Sequence, residues 1–381
     1  SGAMIHKGKS VFAPEKLRLF LHFGTRLFEF GLLLKAHVGC IGGCAMRYFF
    51  LRQVIMGLIR IRLVVLIVVA IAGWVMPCQN EGMVASEGYL TTEDGVRLFF
   101  QRIGSDPKIV IIPNGIYFFD EFARFSATHT LIFYDVRNRG RSDSVTGSAK
   151  ARGIAKDVED LDAVRRHFGI DRMDLIGHSY IGLMIGLYAM KYPQRVNRVV
   201  QIGPMPYSAG KQYPAHLTGD ADGVLTQVFT RLAQLQKEME KEDPEERCKK
   251  FWSVLRRIYV TDAADAEKID WGRCELANER NFMRYWTETV FPSIQKLNIT
   301  AEDFAKAQAP VMIVHGTRDR SAPYGGARDW AMMLPNARLL TVENAAHAPW
   351  IESPEQVFSA IDTFLAGAWP TQTEKVKSLE R

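Results

Sequence analysis

Two rhythms of apolar residues divide this chain. Between residues 88 and 101 apolar and polar side chains alternate on either side of Asp94-Gly95, the pattern of a β-hairpin. Short apolar runs at 108–112, 131–135, 172–176, 196–202 and 309–314 end in glycine, proline or polar turn residues and read as buried strands. Between them the period lengthens to that of a helix, over 151–168 and again from Tyr180 to the stop at Tyr192-Pro193. In 151–168 the charged residues Asp157, Glu159, Asp160, Arg165 and Arg166 alternate with apolar ones, an amphipathic helix. A short strand at 337–342, a helix at 356–365 and a polar tail at 369–381 complete the series. Strands alternating with helices predict an α/β fold with a mostly parallel central sheet flanked by helices.

Residues 205–300 break that alternation. They are helical, charged and aromatic, clearest at 225–241 and 246–259, with no convincing strand. The expected organisation is therefore a core of residues 86–204 and 301–368, with an all-helical insertion at 205–300.

The densest apolar run, LVVLIVVAIAGWVM at 63–76, follows Arg60 and Arg62. A full bilayer span needs about 20 apolar residues, so this run suits the core of a signal peptide, with Ala70-Ile71-Ala72 as a small-x-small cleavage site. A signal anchor fits the basic flank equally well. Residues 56–78 thus read as signal peptide or signal anchor, and 1–55 as a leader or over-extended start, Met46 and Met56 both making ordinary starts. The charge agrees. Residues 1–78 carry 10 Lys and Arg against Glu15 and Glu29 alone, while the remainder carries 38 against 40. The net +6 belongs to targeting, and nucleic-acid binding is excluded as its explanation. The N-terminal segment is expected to contact membrane, with the rest of the chain exported across the cytoplasmic membrane or anchored to it. Cys40, Cys44 and Cys78 fall in or beside this segment, and Pro77 makes Cys78 a poor lipid-attachment site. Cys248 and Cys274 remain in the insertion, either bridged in an oxidising compartment or present as two buried thiols. No C-x-x-C or His-rich spacing points to a metal.

The chemistry-bearing residues sit where strands stop. In RMDLIGHSYIGLMIGLYAMKYP, at 172–193, a strand turns sharply at Gly177-His178-Ser179 into a helix, which holds a serine hydroxyl above the sheet edge in a strained conformation. Asp319 follows the strand at 309–314, and His347 follows the strand at 337–342. A serine hydroxyl is too weak an acid to attack a carbonyl at neutral pH, so it needs a base, and the base needs an orienting acid. Ser179, Asp319 and His347 supply these roles in chain order, and no carboxylate between 202 and 219 competes for the role of acid.

These motifs resemble the α/β-hydrolase superfamily, over roughly residues 87–366. The resemblance rests on the Ser179 elbow, on G-x-x-D-x-x-x-P around Asp319, and on the run Ala345-Ala346-His347-Ala348-Pro349-Trp350-Ile351-Glu352-Ser353-Pro354-Glu355. It departs from the usual G-x-S-x-G, since Ile181 stands where the second glycine belongs and Gly182 comes one residue later, which implies a shifted helix. The loop Asp135–Ser142 is similar to D-x-R-G-x-G-x-S of proline iminopeptidase-like members, with Asn138 replacing a glycine. In Pro113-Asn114-Gly115-Ile116, Asn114 replaces the family's histidine. The resemblance implies that the main-chain N–H groups of Ile116 and Tyr180 form the oxyanion hole.

The resemblance further implies that 205–300 is a cap over the active-site mouth, with Glu275, Glu279, Tyr285 and Trp286 as lining candidates. In iminopeptidase-like members cap glutamates bind a substrate's free amine, a role open to Glu279, whose plainer reading is a surface charge paired with Arg280 or Arg284. The implied activity is a serine hydrolase cleaving a small-molecule ester, an amide or a short peptide through a Ser-His-Asp triad, with no cofactor. The same departures at Asn114 and Ile181 leave a second reading, a non-catalytic binding protein on a hydrolase scaffold.

Overall fold

The computed structural model describes residues 84–147, 152–238 and 241–380. The leader, the apolar run at 63–76 and the three N-terminal cysteines lie outside the described residues. Among the described residues no helix is long and apolar enough to cross a membrane.

The hairpin forms around Asp94-Gly95: β1 (Val84–Thr91) pairs antiparallel with β2 (Arg97–Ile103), Thr91 opposite Arg97. The strand β3 (Ile109–Pro113) leads into α1 (Gly115–Phe122), and β4 (Thr130–Tyr134) into the arginine-rich loop and then α2 (Ile154–His167). The strand β5 (Met173–His178) turns at Ser179 into α3 (Tyr180–Lys191), and β6 (Val196–Ile202) closes the first half. The chain then runs through α4 (Val224–Glu238), α5 (Pro244–Leu255) and α6 (Ala277–Tyr285), a π-helical turn at Trp286–Val290, α7 (Phe291–Gln295) and α8 (Ala301–Lys306). It re-enters the sheet with β7 (Val311–Gly316), α9 (Tyr324–Met333), β8 (Ala337–Val342), α10 (Pro349–Glu352), α11 (Pro354–Leu365) and β9 (Thr373–Glu374).

The nine described strands form one sheet in the order β1-β2-β4-β3-β5-β6-β7-β8-β9, parallel from β4 to β8 and antiparallel at both ends. Every residue of β4, β5 and β7 is buried, as continuous apolar runs require when helices cover both faces. Burying each such Val, Leu or Ile contributes about 1.5–3 kcal/mol. Because β4 pairs on one side of β3 and β5 on the other, the direction of winding reverses at β3. Such a reversal opens a crevice at the C-terminal strand ends, and Asn114 and Ser179 stand one residue beyond β3 and β5 at this point.

The polar tail expected at 369–381 is corrected. β9 adds to the edge of the sheet, and the buried Arg328 guanidinium donates to the carbonyls of Ser378, Leu379 and Glu380. An arginine 50 to 52 residues away thus satisfies backbone groups that would otherwise be left to solvent.

Candidate active site

Ser179 has φ 55° and ψ −120°, a conformation that costs a non-glycine residue about 1–3 kcal/mol and persists only when its surroundings enforce it. They do so through the main chain: Ser179 N–H donates to Ile202 O at 2.9 Å, and Ser179 O accepts from Met205 N–H at 3.1 Å and Leu183 N–H at 3.2 Å. The unusual spacing is absorbed by two glycines. A Cβ at Gly177 would lie 2.8 Å from Ile181 O, so only glycine permits the turn, and a Cβ at Gly182 would stand 3.1 Å from Pro204 Cα, just past β6. Ile181 itself is buried in the core.

Asp319 and His347 meet at the ends of β7 and β8. His347 Nδ1 donates to Asp319 Oδ2 at 2.7 Å, leaving Nε2 as the basic nitrogen. The other oxygen, Oδ1, accepts the Ser321 and Ala322 amides at 2.8 Å each, and His315 Nε2 lies 3.0 Å from Oδ2. Burial alone raises the pKa of Asp319, but His347 and His315 outweigh it and hold the carboxyl well below the usual carboxylate range. His178 is pushed well below the ordinary histidine range by burial and by His347, and its Nε2 bonds the His347 carbonyl at 2.9 Å. It supports the loop rather than transferring protons. Gly203 is required by the same packing, for a Cβ there would stand 3.0 Å from His347 Nδ1.

The expected oxyanion donor Ile116 is corrected. Its N–H donates to Asp135 Oδ1 at 2.8 Å, and Ile116 is not among the residues lining the cavity beside Ser179. The buried Asp135 carboxyl, which also accepts Arg141 N–H at 2.9 Å, holds the first turn of α1 and takes that amide out of reach. Asn114 faces the cavity instead. It is left-handed at φ 67°, 7% exposed, and its Oδ1 has no protein partner. Tyr180 also lines the cavity, and its N–H is the first amide of α3, one that an α-helix leaves without an internal acceptor.

That cavity, about 1110 Å³, runs from Ser179 and His347 to the helical insertion, whose Trp252, Tyr259, Trp271 and Phe282 form much of its wall. The three arginines of the Asp135–Ser142 loop divide their partners around it. Arg137 pairs with Asp160 at 2.6 Å and Asp94 at 3.1 Å, while Arg141 stacks on Phe99 with 3.6 Å from Cζ to the ring centroid. Arg139 crosses to the insertion and pairs with Glu279 at 3.0 Å. Glu279 is therefore neither the surface charge nor the open amine-binding group anticipated for it. It is 3% exposed, accepts Gly140 N–H at 2.8 Å and Tyr117 Oη–H as well, and its carboxylate is saturated. Burial raises its pKa, and Arg139, the Gly140 amide and Tyr117 together more than reverse this.

Tyr285 and Trp286 line the cavity, whereas Glu275 pairs with Arg273 and does not. Cys248 and Cys274 form a disulfide, so the thiol alternative is set aside; Cys248 belongs to the cavity wall. Glu352 joins the His347 loop to the insertion, accepting Ala346 N–H at 2.6 Å and Thr261 N–H at 2.7 Å. Asp157 was missed. Its sequence signal is that of a solvated helix charge, yet it is 1% exposed and lines the cavity. Among the described residues no cluster of His, Cys, Asp and Glu is arranged to hold a metal ion.

Residues 112–354 match the family model described as alpha/beta hydrolase fold. The chain is 23% identical to a 2-hydroxymuconate semialdehyde hydrolase of Pseudomonas putida, covering 70% of this chain and 85% of that protein. It is 21% identical to a proline iminopeptidase of Heyndrickxia coagulans, covering 74% and 98%. Among solved structures, an esterase from Exiguobacterium antarcticum superposes with a TM-score of 0.58 at 15% identity, covering 74% of this chain and all of the other.

Proposed function

Since this chain belongs to the α/β-hydrolase fold family and is a hydrolase, we propose that it cleaves a carboxylic ester or amide bond by nucleophilic attack of Ser179. His347 Nε2 takes the hydroxyl proton as Oγ bonds to the carbonyl carbon, and returns it to the departing alcohol or amine. Water, deprotonated by the same nitrogen, then releases the acid from the acyl-enzyme and restores the serine. Asp319 fixes the Nδ1–H tautomer and stabilises the imidazolium. Tyr180 N–H and the Asn114 Nδ2–H group serve the oxyanion, each donor worth about 3 kcal/mol in comparable sites.

The observation that carries this reading is the 2.7 Å Asp319–His347 bond at a cavity whose wall includes both His347 and the strained Ser179. A cavity of about 1110 Å³ walled by aromatic rings suits a bulky apolar acyl or alcohol group rather than acetate. With Glu279 saturated, the iminopeptidase-like reading loses the glutamate of the insertion that the resemblance assigned to the substrate's amine. The Cys248–Cys274 bridge and the N-terminal apolar run support an exported catalytic unit.

A fluorophosphonate probe, followed by turnover of p-nitrophenyl esters against proline and alanine p-nitroanilides, tests the reading. Labelling and ester turnover are expected in the wild type and lost in Ser179→Ala, by about 10⁴-fold or more in kcat. Folded wild-type protein that neither labels nor turns over would remove the proposal in favour of a binding protein.

A further inference from the structure

The cavity wall holds two carboxyl groups among the described residues, Glu279 and Asp157, and they differ in one respect. Glu279 has every acceptor position supplied by Arg139, Gly140 and Tyr117. Asp157 accepts the Tyr180 hydroxyl on Oδ2, and its Oδ1 has no protein donor although the side chain is 99% buried. A buried acceptor left in that state costs about 1–3 kcal/mol, which a structural role would normally have removed with a partner.

The surroundings are aromatic. Tyr180, Tyr285 and Trp286 all line the cavity at this end, Tyr180 and Trp286 packing edge to face with centroids 5.5 Å apart. The charges packed nearest are already matched: Arg137 with Asp160 and Asp94, Arg139 with Glu279. The hydroxyls of Tyr134, Tyr180 and Tyr285 stay protonated, since burial raises all three. What remains without a protein partner is Asp157 Oδ1, together with the Tyr134 and Tyr285 hydroxyls, beside aromatic faces, and a group that is cationic and apolar at its surface suits the carboxyl and the rings.

The geometry points to a subsite at Asp157, Tyr180, Tyr285 and Trp286 for an alkylammonium group carried by the substrate. It rests on the hydrolase reading for the position of the scissile bond, and it names the substrate class as cationic esters. Burial pushes the Asp157 carboxyl up to about 7, with Asp160 adding to this and Tyr180, Arg137 and Arg139 opposing it, so the attraction is present above that pH and fades below it.

Two p-nitrophenyl esters separate this subsite from the general reaction: 4-(trimethylammonio)butanoate and its neutral isostere 5,5-dimethylhexanoate, the cation being permanent in the first. The ratio of their kcat/KM values cancels whatever pH dependence the two esters share. At pH 8.5 it is expected to favour the cation by about tenfold, to fall towards unity below pH 6, and to collapse in Asp157→Asn at every pH. Trp286→Leu, which keeps the carboxyl, should lower it part of the way. Thermal melting checks that each variant is folded. A ratio near one at pH 8.5, or one unchanged in Asp157→Asn, overturns the subsite while leaving the hydrolase reading intact. If neither ester turns over, the hydrolase reading has failed, and tetramethylammonium binding followed by tryptophan fluorescence decides the subsite alone. Quenching lost in Asp157→Asn supports it; no quenching removes it.

Discussion

The rim of the sheet and the helical insertion both contribute to the same cavity, but they are built on different terms. At the rim, Ser179, His347 and Asp319 each stand just beyond a strand whose neighbours fix its register, and their partners are largely backbone groups or each other. In the insertion, each side chain takes its role from whatever it meets across a long sequence gap: Glu279 from Arg139, 140 residues away, and Cys248 from Cys274. On the proposed reading, position along a strand sets a residue's role at the rim, whereas company sets it in the insertion. Damage to the rim should therefore remove chemistry and spare the fold, and damage to the insertion should do the reverse.

The strongest way to break that contrast is at the acid. Asp319→Asn keeps the shape but no longer selects the Nδ1–H tautomer of His347, and about a 10⁴-fold fall in kcat is expected with little change in KM. A comparable loss of thermal stability instead would mean that Asp319 is structural. On the insertion side, Glu279→Ala strands the buried Arg139 cation, and urea unfolding should show a loss of about 3–5 kcal/mol. Pairing Arg139→Met with Glu279→Leu should recover most of that, because the desolvation of both charges disappears together.

Removing the 26-residue cross-link in Cys248→Ser with Cys274→Ser should cost about 3 kcal/mol by the same measurement, with fluorophosphonate labelling of Ser179 retained. The mildest substitution, which removes one charge and no bulk, is at Asp157. Its folded-state pKa near 7 lies above the ordinary aspartate value, so between about pH 4 and 7 the native protein binds a proton that the unfolded chain has released. Stability therefore falls as pH rises through that window. D157N should melt higher than wild type at pH 8 and show no such gain at pH 4.

The alternation of strands and helices and the order Ser179, Asp319, His347 were all readable because each depends on a few consecutive residues: an apolar run, a glycine turn, a proline stop. The signals failed where a distant group intervened. Ile116 has the right place in its loop, but Asp135, 19 residues on, captures its amide. The tail after Trp369 has a polar composition, but Arg328 draws its backbone onto the sheet edge. Asp157 and Asp160 repeat at the spacing of a solvated helix face, yet Arg137 and Tyr180 make their burial tolerable.

By itself, then, the sequence determined which elements form and which side chains stand at their ends, since backbone hydrogen bonding and apolar periodicity act over a few residues. Only the tertiary structure decided which buried carboxyl groups are satisfied and which keep an unpaired oxygen. Whether a carboxylate is saturated, like that of Glu279, or retains an unpaired oxygen, like that of Asp157, depends on donors from other elements brought within 3 Å of it. Electrostatics and desolvation are settled by those neighbours and not by the residue's own place in the chain.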